Sequence, residues 1–166
     1  TEDVGFGIGP RINAVGRLSD PGYALELLMA EDKAKAEELF GVLEKENNKR
    51  RKIGADIFED VCRRIENEHD PETGKMIVMG DPSWHPGVLG IVASRVVEKY
   101  YRPVFLFTIE DGIARGSARS IKGVHLFNTL RRCEELFDRF GGHEMAAGGT
   151  LRADRIEELS CALNDL

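Results

Sequence analysis

Apolar positions along the chain fall into one long helical pattern, several short amphipathic stretches and a few compact runs. From Glu31 or Asp32 to about Asn67 the stripe reads Ala36, Leu39, Phe40 and Leu43, then resumes at Ile53, Ile57, Val61 and Ile65. Steps of three and four place these residues on one helix face. Between the two halves, residues 44–52 contain no apolar side chain, and nine helical residues cover about 14 Å. The pattern predicts a spacer helix crossing solvent between two bodies. The alternative is a single amphipathic helix frayed at its centre, where Gly54 lowers helix propensity. Upstream, Ser19-Asp20-Pro21 predicts a helix start with proline near its first position, followed by a short apolar helix over 23–30. Residues 5–17, with glycines at 5, 7 and 9, read as an extended or looped segment followed by turn punctuation. Residues 1–43 carry more apolar side chains than so short a piece can enclose, so they are expected to pack on a further domain.

A polar turn segment at 68–74 then leads into a second pattern. Met76-Ile77-Val78-Met79 and Val104-Phe105-Leu106-Phe107 are short continuous apolar runs, which predict buried strands. Between them, 87–100 has helical spacing, giving a βαβ unit. Asp111-Gly112 is a hairpin signal, and 113–120 is expected to return antiparallel. A helix over 126–140, a strand near 147–151 and a helix from Asp154 complete the series. The fold class is therefore α/β: a small mixed sheet flanked by helices, preceded by a long inter-domain spacer helix.

Composition narrows the function classes. The chain has 166 residues with 23 Lys and Arg against 29 Asp and Glu, a formal net charge of −6. That balance argues against indiscriminate nucleic-acid binding, so any polyanion must be met by a local cluster. No apolar run approaches the ~20 residues of a membrane span, and the opening Thr-Glu-Asp-Val lacks the basic start of a signal peptide. Without an initiator Met the chain reads as a piece of a longer protein. Cys62, Cys133 and Cys161 are odd in number and far apart, as expected of reduced thiols in a cytoplasmic protein.

Candidate chemistry concentrates in three places. Gly141-Gly142-His143 followed by Ala146-Ala147-Gly148-Gly149 leaves the backbone nearly bare around one histidine, which suits close approach of main-chain N–H groups to an anion. The competing reading is a helix C-cap and tight turn with His143 in a packing role. His85 stands at a strand-to-helix junction, where it either caps the helix or donates to an anion held there. Arg115, Ser117 and Arg119 alternate onto one strand face, two guanidiniums about a hydroxyl, with Gly116, Ala118 and Ser120 opposite. Near the start, Arg11 and Arg17 bracket small and apolar residues, an arrangement that also suits a phosphate. The four histidines have no metal-ligand spacing.

Taken together, the segments 9–17, 84–95, 116–120 and 141–148, with the long helix between the first two, resemble the RecJ-type single-strand-specific exonucleases of the DHH phosphoesterase superfamily. The motif Gly-Gly-His-x-x-Ala-Ala-Gly resembles that of their DHH-associated domain. The resemblance covers nearly the whole chain and implies a division into 1–30, the tail of an N-terminal DHH catalytic domain; 31–68, the connecting helix; and 75–166, the DHH-associated domain. It implies an activity that digests single-stranded DNA from the 5′ end in repair and recombination, with Mn2+ or Mg2+ bound on the DHH domain and no metal held by this chain. Arg11, Asn13 and Arg17 match the family's cleft-facing loop, Ser117 and Arg119 its phosphate contacts, and His143 the group near the scissile or terminal phosphate. Arg95 closes the 84–95 motif and is carried as a phosphate candidate with His85, Arg115, Gly141 and Gly142. The expected partners are single-stranded DNA and the DHH domain, with no membrane. Two other readings stay open: a related phosphodiesterase acting on short oligonucleotides or cyclic dinucleotides, and a non-catalytic nucleic-acid module like that of alanyl-tRNA synthetases.

Overall fold

The computed structural model describes residues 3–68 and 74–166. His69 and most of the 68–74 turn therefore lie outside the described residues. The chain divides into two compact units, 1–53 and 54–166, and the division falls inside one helix.

In the first unit, a π-helical segment Asp3–Ile8 runs into α1 (Gly9–Leu18), α2 (Gly22–Met29) and the first part of α3 (Lys33–Glu68). The extended reading of 5–17 is thus corrected to helix. Ile8, Ile12 and Val15 stand at steps of four and three, and Pro10 sits in the first turn where its missing N–H costs nothing. That local pattern outweighs the glycines. Val15, Ala24 and Leu43 form the unit's small core, with Ile12 and Leu27 packed against it. The starts of α2 and α3 are held as their sequences predict: Asp20 Oδ1 accepts from Gly22 N at 2.8 Å and Asp32 Oδ2 accepts from Lys35 N at 2.9 Å. The helix α3 continues unbroken through 44–52. It is not exposed on every side there, because Asn47 is only 5% exposed and accepts from Arg50 Nη2 at 3.0 Å.

The second unit is built on a five-stranded sheet ordered β1-β2-β3-β5-β4. The strands are β1 (Ile77–Asp81), β2 (Val104–Glu110), β3 (Ile113–Arg119), β4 (Arg139–Gly142) and β5 (Ala146–Arg152). The β1–β2 pair is parallel, joined through α4 (Leu89–Tyr100), and the other pairs are antiparallel. On one face Phe105, Phe107, Ala118, Ala147 and Leu151 pack against α5 (Leu126–Arg131) and α6 (Ile156–Asp165). Phe105 and Phe107 stack at 4.1 Å between ring centroids. This stacking explains two glycines, since a Cβ on Gly116 would lie 2.4 Å from Phe107 and one on Gly149 would lie 2.8 Å from Phe137. The opposite face receives α4 through the buried Leu89, Val92, Ala93 and Val96.

The expected helix over 126–140 is corrected. The chain leaves α5 at Arg131, makes a 3-10 turn at Glu134–Leu136 and becomes β4. Leu126, Leu130, Cys133 and Leu136 still face the core, which is why their spacing looks helical throughout. The free edge of β5 captures the chain instead: Asp138 N donates to Thr150 O at 2.9 Å just before the ladder begins. At the far edge, Asn164 of α6 accepts from Lys75 N at 2.7 Å and Met76 N at 2.9 Å, and donates to Met76 O at 3.1 Å. Among the described residues no helix is long and apolar enough to cross a membrane.

Candidate phosphate-binding face

The face that α4 shares is only half covered. Strand register sets three rows across it. Thr108, Arg115, Thr150 and Arg139 form one row, and Leu106, Ser117, Gly148 and Gly141 the next. In the third, Arg119 pairs with Ala146, and His143, one residue past β4, donates its N–H to Ala146 O at 2.8 Å. Over the β5–β4 half lies an open cleft of about 370 Å³. Pro86 and Leu89 at the start of α4 wall it, Gly141 and Gly148 floor it, and Arg115, Ser117, Arg139 and Thr150 line it. A Cβ on Gly141 would meet nothing within 4 Å, so the floor is open toward solvent.

Arg119 and Ser117 are a connected pair. Arg119 Nη1 donates to Ser117 Oγ at 3.2 Å and to Ala118 O at 2.8 Å. Those bonds hold the guanidinium along its own strand, beside Gly90 of α4. Arg115 meets Glu110 at 3.3 Å, with side chains 53% and 72% exposed. So exposed a pair is weak, contributing ~0–1 kcal/mol, and an incoming anion can displace it.

His143 is exposed, and its Nδ1 accepts from Met145 N at 3.3 Å. In a neutral ring that bond leaves the proton on Nε2, a donor suited to an oxyanion. The hairpin that carries it depends on Gly142. Its φ is +155°, and a Cβ there would lie 2.4 Å from Ala146 O. His85 behaves alike: Nδ1 accepts from Gly87 N at 3.1 Å, capping the 3-10 turn that precedes α4. The structure thus shows the capping reading of His85, and the cap uses Nδ1 alone. His85 lines a second cleft of about 350 Å³ that shares Pro86 and Arg115 with the first.

The turn bearing His85 is anchored from below. Arg64 of α3 pairs with both Asp60, at 2.8 Å, and Asp81 at the end of β1. Trp84 Nε1 donates to Asp60 at 3.1 Å, and the Arg64 guanidinium lies 5.2 Å from the Trp84 ring. Burial opposes ionisation of Asp60, but bonds from Arg63, Arg64 and Trp84 outweigh it and hold the carboxyl below its usual range. At Asp81, burial is likewise outweighed, by bonds from Ser83 and Arg64.

The sequence candidates divide accordingly. Arg115, Ser117 and Gly141 line the first cleft and His85 the neighbouring one, while Arg119 is bonded to Ser117, and Gly142 and His143 belong to the β4–β5 hairpin. Arg95 is not brought to this face; its guanidinium stacks 4.1 Å over Phe58 of α3. Arg11, Asn13 and Arg17 belong to the first unit, where Arg11 pairs with Glu44, lies over Phe40 and donates to Gly7 O. Arg139, Thr150 and Leu89 line the cleft without having been singled out from the sequence. Reading 139–142 as strand supplies the missing signal, because alternation then sets Arg139 and Gly141 on one face. Among the described residues no three His, Cys, Asp or Glu side chains cluster to hold a metal ion.

Residues 73–166 match the DHHA1 domain family. The single-stranded-DNA-specific exonuclease RecJ of Bacillus subtilis is 42% identical over 99% of the chain, which spans 21% of that protein. The protein of the same name from Thermus thermophilus is 43% identical over 88% of the chain, again 21% of its length. The crystal structure of Thermus thermophilus RecJ in complex with Mg2+ superposes with a TM-score of 0.86 at 38% identity, covering 98% of this chain and 25% of that one. A manganese-bound structure of exonuclease RecJ gives 0.83 at 38% identity, over 98% of this chain and 40% of that one. The chain belongs to the DHHA1 domain family and is similar over nearly its whole length to part of the RecJ exonucleases.

Proposed function

We propose that this chain is the strand-holding part of a metal-dependent exonuclease that digests single-stranded DNA from its 5′ end, in the cytoplasm, during repair and recombination. It grips DNA phosphates and presents the strand to Mn2+ or Mg2+ ions carried by a DHH domain of the same protein. The support is the chemistry of one sheet face. Arg119, Ser117 and His143 offer guanidinium, hydroxyl and imidazole donors on the strands and hairpin that carry the glycine floor. Such donors recognise phosphate without regard to base, as a nuclease without sequence preference requires. His143 is the group assigned to the terminal or scissile phosphate.

The test is binding of 5′-phosphorylated and 5′-hydroxyl oligonucleotides. A charge-assisted hydrogen bond contributes about 1.5–3 kcal/mol, so Arg119→Ala is expected to weaken binding of the 5′-phosphorylated strand by roughly ten- to a hundredfold. Arg152→Ala, which removes a residue paired with Asp154 at 2.6 Å at the far end of β5, is the control and should change little. Equal affinities for wild type and Arg119→Ala would show that the strand face is merely solvated.

A further inference from the structure

The rows on the open face are not all alike. The Arg119–His143 row is rich in donors, the Ser117–Gly148–Gly141 row is nearly bare, and the Arg115–Thr150–Arg139 row is rich in donors again. Four residues separate Arg115 from Arg119 along β3, about 13 Å at strand rise. Their partners differ as well: Arg119 is bonded to Ser117 beside Gly90 of α4, and Arg115 is paired with Glu110. Within the outer row, Arg115 and Arg139 lie two strands apart, about 10 Å, with Thr150 between them. Arg139 Nε donates to Thr150 Oγ1 at 3.5 Å, and both arginines are exposed at the open cleft. Two guanidiniums on either side of a hydroxyl at an open cleft suit an anion, which would displace Glu110 from Arg115.

We infer that Arg115, Thr150 and Arg139 form a second phosphate-holding row, which takes an internal phosphate of the strand whose terminal phosphate lies at Arg119, Ser117 and His143. The intervening nucleotide crosses the middle row over Gly141, where a Cβ would meet nothing within 4 Å. This rests on the strand-holding reading above and sharpens it. The ligand is a polynucleotide long enough to reach both rows, and a mononucleotide or a compact dinucleotide fills only one. The strand then leaves the sheet past β4, its outermost strand.

The experiment is a length series of 5′-phosphorylated single-stranded oligonucleotides, from one to eight nucleotides, titrated against the chain and its Arg139→Ala and Arg139→Lys variants at several salt concentrations. Wild type should gain affinity stepwise as the strand grows long enough to reach the second row. Arg139→Ala should lose that gain, about tenfold at the longer lengths, with its salt slope flattened by ~0.7 for one single-strand phosphate. Its preference for 5′-phosphate over 5′-hydroxyl, and its mononucleotide affinity, should stay at the wild-type value, and Arg139→Lys should recover most of the loss. Loss of mononucleotide binding in Arg139→Ala would merge the two rows into one site and overturn the inference, as would an Arg139→Ala length series like that of wild type. If no oligonucleotide binds the wild type, the strand-holding reading falls and takes this inference with it. If Arg119→Ala has its effect and Arg139→Ala has none, only the second row is refuted.

Discussion

A Cβ added to Gly90 would lie 2.7 Å from Arg119 Nη2 and 3.0 Å from Ser117 Oγ. The close neighbours are a flexible side-chain end and a hydroxyl, so Gly90→Ala can be accommodated by moving Arg119. Alanine in the first turns of α4 adds helix propensity of about 1 kcal/mol. We expect Gly90→Ala to melt at the wild-type temperature or above it, while its affinity for 5′-phosphorylated single strands drops about tenfold. Thermal melts and titrations on one preparation check the pair of outcomes, and unaltered binding would show that the placement of Arg119 is immaterial.

The neighbouring glycines 141 and 142 should part company on substitution. Gly142→Ala places a methyl 2.4 Å from Ala146 O at a φ of +155°, and should cost at least about 2 kcal/mol in urea unfolding. Gly141→Ala meets nothing of the protein within 4 Å. It should leave stability within about 0.5 kcal/mol yet weaken strand binding by raising the floor of the cleft. Equal destabilisation by both would contradict the assignment of Gly142 to the hairpin and Gly141 to the floor.

Arg64 joins α3 to the end of β1, and its pairs with Asp60 and Asp81 are about a quarter exposed. Arg64→Leu keeps an apolar stem against Trp84 but removes both pairs, a loss of about 1–2 kcal/mol near neutral pH. Both carboxyls sit below their usual range in the folded protein. Their stabilisation is therefore complete above the unfolded value near about pH 4 and disappears as pH falls through the lower folded values. The gap between wild type and Arg64→Leu in urea melts should be constant from about pH 5 to 8 and should close in strong acid. A gap that persists in strong acid would mean that packing, not ion pairing, is what Arg64 supplies.

Manganese or magnesium added to this chain should produce no hydrolysis of single-stranded DNA. Phosphoryl transfer assisted by a metal needs ions held to activate water and shield the leaving oxygen, and the described residues cluster no three suitable ligands. Incubation of a labelled oligonucleotide with the purified chain and Mn2+, followed by gel analysis, decides the matter. Sustained digestion that survives repurification would show that ligands lie elsewhere in the chain.

How far the sequence could be read depended on where one periodicity meant one structure. The βαβ unit and the Asp111-Gly112 hairpin were legible because continuous apolar runs and a turn dipeptide have few other meanings. Alternation likewise placed Arg115, Ser117 and Arg119 on one face, as found. The segment 126–140 misled because a helical spacing of core residues was satisfied by α5, a 3-10 turn and β4 in succession, the last pairing with β5 in a short hairpin. Arg139 was hidden by that same error. At 5–17 the glycines suggested a loop, while Ile8, Ile12 and Val15 already carried the helical spacing. In the network of Arg64, Asp60, Trp84 and Asp81 only the Asp60–Arg64 pair, four apart on α3, is local; the bonds to Asp81 and Trp84 span 17 and 24 positions and had no local signature.

Asn164 bonds the backbone of Lys75 and Met76, the two residues leading into β1, and so ties the entry of the sheet to the end of the last helix. Lys75 and Asn164 are 89 positions apart along the chain, yet backbone and side chain meet there at 2.7 Å. The sheet and its helices are consequently a detour that leaves and returns at one spot. A sequence appended after Leu166 would set out beside the segment that leads into β1, so the whole unit could be spliced into another polypeptide, or have its ends relocated to the Asp111-Gly112 turn, with little disturbance to the strands.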